Sequence, residues 1–475
     1  MQTFHPDVST KNSIATALAL CSALLLTGAP MQAAAQGGWG TYQKPFAATS
    51  PWNSRPVQPV FGDFVIPKST YAPGVAGGEW STGVFLAKAG DQSVTVSGLP
   101  KTQGLWDPDA SAFHDVTIPR WPADVVAASA SDGHADIVDP VTGIVHSFWQ
   151  LKKVDGKWVA AQYAWTKLNG RGWGDPAHYF QGARAAGVAT AGGLIRKHEV
   201  NDGDVMYRHA LAMSLTFDGL SPQPTYVFPA TSADTDAATR NTGKIPEGAL
   251  LMLPPSYDSS KISNPDLRKV AETLKTYGAY VVDRNFGTPF FIYVENGAGF
   301  DLHKGGWDNN VANDLERMRV ALRPVVSAQG WLDGNGKPVT LQKNMNLLSM
   351  RGPWQLQSGA SLGAFDTWQQ AVVFPANAQA VTQVNYSSRG LHPVNWALPQ
   401  AGKNYRITAR TSGGGTLRLQ VRDPSGTPLY FDSGELTNGE GKTFAWPDPR
   451  AIVTVYATSG VGTVSTVSGA LLQLD

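Results

Sequence analysis

The only cysteine of this 475-residue chain, Cys21, lies inside an apolar run near the N-terminus. The run, residues 14–26, follows Lys11, and the small residues 33–35 match a signal-peptide cleavage site. The run is shorter than the roughly 20 apolar residues that span a membrane. The sequence therefore predicts a cleaved signal peptide over residues 1–35, a secreted or periplasmic protein, and no membrane span.

Cleavage there leaves a mature chain without cysteine, which excludes disulfides, thiolate catalysis and zinc–sulfur sites. The fold must then be held by its hydrophobic core, and about 440 residues are enough to bury one. The net charge is only +1, 16% of the residues are charged, and no block of Lys or Arg is present. The composition therefore argues against nucleic acid or anionic lipid as a partner.

The 50 glycines, 32 prolines and 15 tryptophans are typical of a turn-rich β protein. Short alternating apolar segments predict many strands, and the composition shifts near Gly352 and Pro353. We expect a mainly β fold: a β-sandwich or jelly-roll-like main domain over residues 36–350 with a few short helices, and a C-terminal β-sandwich accessory domain over residues 355–475. The tryptophans serve either a large core or an aromatic surface that grips sugar rings.

Two helices are predicted in the second half of the main domain. Asn264 can cap a helix over residues 265–277, which starts with proline, carries apolar residues on one face and stops at Gly278. Residues 309–322 repeat the amphipathic pattern.

A β-hairpin is predicted where two strand-like segments flank the turn sequence of residues 139–143. In the register that pairs Val138 with Ile144, Asp136 faces His146, and His134 shares the face of Asp136. A carboxylate beside an imidazole raises the basicity of the histidine, so these three residues are candidate catalytic groups. The alternative is a solvated sheet face, and a shift of one residue in register would destroy the pairing.

A second group of chemically capable residues follows a glycine-rich stretch. Arg196 or Arg208 could bind a substrate carboxylate, because the guanidinium fork is suited to it. His209 and Tyr207 could act as base and acid, with Glu199 beside them. The alternative is that Arg196 and Glu199, three residues apart, form only a local ion pair.

No cofactor is predicted. His134 with Asp136, or His198 and Glu199 with His209, would offer nitrogen and oxygen ligands, so a divalent metal stays an alternative. No diagnostic metal spacing, phosphate-binding loop, nucleophile elbow or dinucleotide motif is present.

The order of several short motifs resembles that of a group of largely uncharacterised secreted bacterial proteins. The resemblance covers roughly residues 45 to 320 and implies one continuous, exported domain, without assigning a reaction. The motifs are an SPWN-like start at residues 50–53, an HxD strand at 134–136, a GLIRxxE segment at 193–199, HAL at 209–211 and LKTYG at 274–278.

A secreted, disulfide-free, tryptophan-rich β protein with clustered His, Arg and Glu best fits a polysaccharide-degrading enzyme. Elimination on an acidic polysaccharide needs a base, an acid and a cation for the substrate carboxylate. His134 or His209, Tyr207, and Arg196 or Arg208 offer these.

Two other functions stay open. Glycoside hydrolysis would use a carboxylate pair, of which Asp136 and Glu199 are the first choice. A non-catalytic protein would bind polysaccharide or a cell-surface glycan through aromatic residues. Trp149, at the end of the predicted hairpin, is the candidate substrate-binding aromatic residue for any of these functions.

Overall fold

A computed structural model describes residues 38–385, 390–391 and 394–474. The predicted signal peptide, including Cys21, lies outside these residues. The described chain is mainly β with few helices, which confirms the predicted fold class.

The strands fall into two groups along the chain. Those of the N-terminal group are β1 (Arg55–Phe61), β2 (Gly74–Ala76), β3 (Gly83–Leu86), β4 (Val94–Gly98), β5 (Trp106–Asp107), β6 (Ala112–Phe113), β7 (Val116–Ile118), β8 (Ala135–Asp139), β9 (Ile144–Trp149), β10 (Lys152–Val154), β11 (Lys157–Ala160), β12 (Gln162–Lys167), β13 (Leu211–Leu215), β14 (Leu250–Met252), β15 (Ala279–Arg284), β16 (Phe290–Tyr293), β17 (Arg323–Leu332) and β18 (Pro338–Val339). Those of the C-terminal group are β19 (Gln355–Ser358), β20 (Ala364–Asp366), β21 (Ala371–Phe374), β22 (Thr382–Asn385), β23 (Asn404–Ser412), β24 (Thr416–Arg422), β25 (Leu429–Asp432), β26 (Gly441–Ala445), β27 (Ile452–Thr458) and β28 (Ser465–Gln473).

Both predicted helices are confirmed. The α-helices are α1 (Ala237–Arg240), α2 (Pro265–Thr276) and α3 (Asn309–Ala321), and short 3-10 turns lie at Lys197–Glu199, Ser259–Lys261 and Asn395–Ala397. The Asn264 side chain accepts a hydrogen bond from Leu267 N (3.1 Å), as expected of an N-cap. Gly278 follows α2 with a positive φ of 77°, which ends the helix.

The N-terminal strands form stacked layers. The central eight-stranded sheet runs β1-β17-β14-β15-β13-β16-β2, with β18 beside β17, and mixes parallel and antiparallel pairs. Its one face packs against α2 and α3, through residues such as Val270 and Leu315. Its other face packs toward the six-stranded sheet β3-β8-β9-β12-β5-β6, whose Val138 and Val145 enter the same core. The far side of that sheet packs against β10-β11-β4-β7.

The C-terminal strands form two five-stranded antiparallel sheets, β19-β22-β27-β24-β25 and β20-β21-β28-β23-β26. They enclose their own apolar core, which includes Tyr405 and Trp446. Loops and side chains join this sandwich to the N-terminal sheets: the Trp396 indole donates a hydrogen bond to the Ala230 carbonyl oxygen (2.7 Å), for example. The domain boundary between residues 350 and 355 stays a prediction.

The motifs of the sequence resemblance meet around Gly193. The Trp52 ring covers this glycine, and a Cβ added there would lie 2.3 Å from Trp52 Cζ3 and 2.7 Å from Ala212 N. Gly193 also has a positive φ of 66°, a conformation that favours glycine. Trp52 itself stacks on Trp173, with 5.3 Å between ring centroids.

Backbone and side-chain hydrogen bonds connect the remaining motifs around Gly193. They run from Ala210 N to Trp52 O (2.7 Å), from Leu211 N to Gly278 O (2.9 Å), from Ala212 N to Gly193 O (2.7 Å) and from Ala191 N to the Asp136 carboxylate (2.7 Å). The SPWN-like, HxD, GLIR, HAL and LKTYG motifs therefore form one buried junction that builds the fold.

Candidate active site

The predicted hairpin is confirmed, but its register is wrong by one residue. Asp139 pairs with Ile144, so Asp136 pairs with Ser147 and not with His146. The Asp139 carboxylate accepts hydrogen bonds from Val141 N (2.9 Å) and from Arg120 Nε (3.0 Å). These contacts draw Asp139 into the strand and shorten the turn by one residue, and a shift of one residue moves side chains to the opposite face.

Asp136 and His146 consequently lie on opposite faces of the sheet. The buried Asp136 carboxylate accepts hydrogen bonds from Ser147 Oγ and Ala191 N, both at 2.7 Å, and burial raises its pKa. His146 lies on the other face of the sheet with its Nδ1 2.8 Å from the Tyr163 hydroxyl, and burial lowers its pKa to about 4. The predicted carboxylate–imidazole pair is therefore not formed by these two residues.

Glu199 and His209 do form a carboxylate–imidazole pair. Nε2 of His209 lies 3.2 Å from the Glu199 carboxylate, and the two side chains are 16% and 15% exposed. Burial favours the neutral form of each, but the opposite charge and the hydrogen bond of the partner outweigh burial. The pKa of His209 is therefore raised and that of Glu199 is lowered, so the charged pair is favoured.

This pair predicts a pH dependence of stability. Because the pKa of His209 is raised in the folded protein, the stability that His209 contributes is complete below the unfolded pKa of about 6.5. This stability is lost as pH rises through the folded pKa. The Glu199 contribution is complete above its unfolded pKa of about 4.3 and is lost as pH falls through its lowered folded pKa. In urea unfolding, Glu199→Gln should therefore differ more from wild type at about pH 6 than at about pH 9. Asp204→Asn, at an exposed surface pair, is the control, and an equal Glu199→Gln difference at both pH values would contradict the prediction.

The other residues predicted near this pair have separate environments. Tyr207 is buried in the core below α2, its ring centroid is 6.4 Å from that of His209, and burial raises its pKa. Arg208 is exposed and pairs with Asp204 at 3.0 Å. Glu199 thus has His209 at hydrogen-bond distance, while Tyr207 and Arg208 point elsewhere.

Arg196 is buried and forms an ion pair with Glu295 rather than with Glu199. Its Nε donates to the Glu295 carboxylate at 2.8 Å, its Nη1 donates to Tyr42 O at 2.9 Å, and its guanidinium lies over the Tyr42 ring. The local ion pair with Glu199 that the spacing allowed is absent from the described contacts; instead Arg196 N donates to the Glu199 carboxylate at 2.9 Å. These contacts favour a structural role for Arg196.

A denser group of titratable residues, which the sequence did not reveal, surrounds Arg184. We define the Arg184 cluster as Arg184, Asp283 and five residues that act on the ionisation of either or whose ionisation either affects: Asp132, His134, Asp234, Glu247 and Tyr293. Arg284 borders the cluster and pairs with Asp234 at 3.5 Å. Of the predicted site residues, His134 belongs to the cluster and Trp149 borders it, since the Trp149 indole donates to Asp132 at 3.1 Å.

Arg184 is the centre of the cluster. Its side chain is 1% exposed and its guanidinium lies 3.8 Å from the centroid of the Tyr293 ring. Nη1 donates to the Asp283 carboxylate at 3.0 Å, whereas Nε and Nη2 have no hydrogen-bond partner among the described residues. Nε–H and Nη2–H lie on one edge of the guanidinium and together suit bidentate binding of a carboxylate.

A β-bulge brings Asp283 to this arginine. Met213 pairs with Val281 but the next residue, Ser214, pairs with Asp283, so Val282 is the extra residue of β15. Asp283 thereby shares the face of Ser214 and Tyr293, away from α2 and α3. Its side chain is 17% exposed, against 1% for Arg184.

The carboxyl groups of the cluster have displaced ionisation equilibria. Burial raises the pKa of Asp283 to about 7, although Arg184 opposes the shift, and the charges of Asp234 and Asp132 add to it. Burial also raises the pKa of Asp234 and, by a larger amount, that of Glu247. A carboxyl group with a pKa near 7 can both take and give a proton at neutral pH.

His134 adds a neutral imidazole. Burial, and then the charge of Arg184, lower its pKa to about 3. Its Nδ1 lies 3.2 Å from the Phe148 carbonyl oxygen. Because a carbonyl oxygen only accepts, Nδ1 carries the hydrogen and Nε2 of the neutral ring carries a lone pair.

Within the described residues, no group of three or more His, Cys, Asp or Glu side chains is arranged to hold a metal ion. In the same part of the chain, no helix is long and apolar enough to cross a membrane.

No protein-family model matches the sequence, and a search of curated proteins finds no match. Several chains of solved structures align with part of this chain, among them chains from two Streptococcus structures. The glycosylation-associated protein complex of Streptococcus agalactiae aligns with 12% identity over 28% of this chain and 45% of the other, with a TM-score of 0.18. The chain thus spans less than half of that protein's length. Accessory secretory proteins 1, 2 and 3 of Streptococcus pneumoniae align with 9% identity over 29% of this chain and 99% of the other, with a TM-score of 0.16. Scores this low carry no argument about fold or function.

Proposed function

We propose that the protein is a secreted or periplasmic enzyme that degrades an acidic polysaccharide by β-elimination, with its active site at the Arg184 cluster. The observation that carries the proposal is the buried Arg184 guanidinium, which leaves one bidentate edge unpaired beside a carboxyl group of pKa about 7. Elimination needs both features: a cation for the substrate carboxylate and a proton-transfer group next to it.

In the proposed reaction, the uronic acid carboxylate of the substrate binds Nε and Nη2 of Arg184. This neutralises its charge and acidifies the adjacent C5–H bond. Ionised Asp283 removes the C5 proton, the C4–O bond to the leaving sugar breaks, and a C4=C5 double bond forms. The protonated Asp283 then gives the proton to the leaving oxygen. Because the two arginine donors are covered, substrate binding must displace neighbouring side chains, and the exposed edge of Asp283 is where access begins.

Glycoside hydrolysis is the second candidate, and the mutual effects of the carboxyl groups favour it. The charge of Asp234 raises the pKa of Asp283 and of Glu247, and the charge of Asp283 raises that of Glu247, so protonation of one carboxyl group favours ionisation of its neighbour. A hydrolase needs one protonated and one ionised carboxyl group. The pair would then come from these residues and not from Asp136 and Glu199.

One experiment separates these reactions. The purified protein is incubated with polygalacturonate, alginate, hyaluronan and neutral glucans, while ultraviolet absorbance of unsaturated ends and total reducing ends are followed together. We expect both signals to rise on an acidic polymer, and Asp283→Asn to lower the rate at least about 100-fold, because general acid–base groups contribute that much. Asp204→Asn, at an exposed surface pair, should retain wild-type rates.

The remaining outcomes are decisive as well. Reducing ends without absorbance would overturn elimination in favour of hydrolysis. Binding of a polymer without either signal would leave a non-catalytic glycan-binding protein. Action on an extracellular polymer also requires export, so the N-terminus of the exported protein should be Gln36, which protein sequencing can establish.

A further inference from the structure

A polar pocket lies between β12 and the C-terminal sandwich, outside the Arg184 cluster. Its volume is about 110 Å³. The N-terminal strands and loops contribute Trp165, Lys167, Asp175, His178 and Gln181, and the C-terminal sandwich contributes Trp368, Gln369, Gln370 and Arg410.

Trp368 is the exposed aromatic surface of this pocket. Its side chain is 38% exposed, unlike that of Trp165, which is buried. The Trp368 indole donates a hydrogen bond to the Tyr163 hydroxyl at 3.0 Å, and that hydroxyl lies 2.8 Å from His146 Nδ1. Two buried side chains from the N-terminal sheets therefore fix the orientation of a tryptophan that belongs to the C-terminal sandwich.

The floor of the pocket is similarly rigid. The Trp165 ring packs on His178 with 4.1 Å between centroids, and His178 Nε2 lies 2.5 Å from the buried Asp109 carboxylate. Gln181 is buried, accepts a hydrogen bond from Asp175 N (2.8 Å) and donates one to Thr166 Oγ1 (3.2 Å). Its side-chain amide has a second hydrogen to offer.

From this geometry we infer that the pocket is a sugar-binding subsite for an acidic polysaccharide. The exposed face of Trp368 can cover the apolar face of a sugar ring, and the amides of Gln181, Gln369 and Gln370 can bond its hydroxyls. The cations of Lys167 and Arg410 outnumber the one anion, Asp175, which favours a uronic acid unit. The choice of an acidic polymer rests on the proposed function, while the pocket itself does not.

Calorimetric titration with acidic and neutral oligosaccharides tests the inference. Using Asp283→Asn protein prevents cleavage of the bound chain. We expect binding of an acidic oligosaccharide, weakened at least about tenfold by Trp368→Ala because a large buried aromatic contact is lost. Trp80→Ala, which removes a tryptophan outside the pocket that is 50% exposed, should leave the affinity unchanged. Arg410→Gln, on the exposed surface of β23, should weaken acidic ligands severalfold and neutral ligands little.

Three results would overturn the inference: no binding across the panel, affinity that Trp368→Ala does not change, or neutral ligands bound as tightly as acidic ones. These results are distinguishable from failure of the proposed function. Trp368-dependent binding without any turnover by wild type would overturn only the enzymatic proposal, whereas turnover with Trp368-independent binding would overturn only this one.

Discussion

Replacing Arg184 with glutamine is expected to lower kcat/KM on the acidic substrate by about 100-fold or more, comparable to loss of a preorganised donor at a developing charge. Glutamine keeps a polar side chain but removes the positive charge and the two-donor edge. Arg184→Lys keeps the charge without the fork and should also be strongly impaired. Steady-state kinetics on the polymer that wild type degrades measures both, with circular dichroism to check folding.

A pH profile separates a catalytic from a structural role for Arg184. Arg184 opposes the raised pKa of Asp283, so its removal should raise that pKa further. The rising limb of the pH profile, which reports ionisation of Asp283, should then move to higher pH in the residual activity. Arg450→Gln, at a largely exposed ion pair of the C-terminal sandwich, is the charge-matched control. Wild-type kinetics or an unmoved profile in Arg184→Gln would refute the assignment.

The largest stability effect is expected at Gly193. Gly193→Ala should lower the free energy of unfolding by about 3 kcal/mol or more, because an L residue at positive φ costs about 1–2 kcal/mol and overpacking costs about 1–3 kcal/mol. The added Cβ would meet the Trp52 ring and the backbone nitrogen of Ala212. Urea unfolding followed by tryptophan fluorescence measures the change.

Gly203→Ala is the matched control for this substitution. Gly203 also has a positive φ, 82°, but a Cβ there would meet nothing within 4 Å. Its cost should reflect the backbone conformation alone, about 1–2 kcal/mol. Equal losses at the two glycines would show that the contact with Trp52 contributes nothing.

Local signals in the sequence predicted local structure well. The cap at Asn264 and the glycine at 278 place α2 to within one residue, and the turn sequence at residues 139–143 identifies the β8–β9 hairpin. The register of that hairpin escaped prediction, because Asp139 pairs within the strand, where Arg120 contacts it from 19 residues away. The catalytic role of Asp136 and His146 depended on that register.

The candidate site was harder to predict for the same reason. His134, Asp132 and Trp149 lie on the predicted hairpin, but Arg184 meets Asp283 across 99 residues of chain. Arg184 sits in a stretch of small residues, and Asp283 at the end of a buried strand, without a motif that links them. The motifs that stand out in the sequence have a structural role, since Trp52, Gly193 and Asp136 contribute to the buried junction that builds the fold.

The bulge in β15 decides which face of the sheet Asp283 lies on, and therefore whether its carboxyl group reaches Arg184. If Val282 paired with Ser214 in a regular strand, Asp283 would keep its neighbours in sequence and yet turn toward α2 and α3, since one residue decides the face of a strand. A related chain would therefore lose the acidic group of its site through a change of strand pairing alone, while every residue of the strand survives in an alignment. Among such chains, the bulge is a better marker of a working site than the presence of the aspartate.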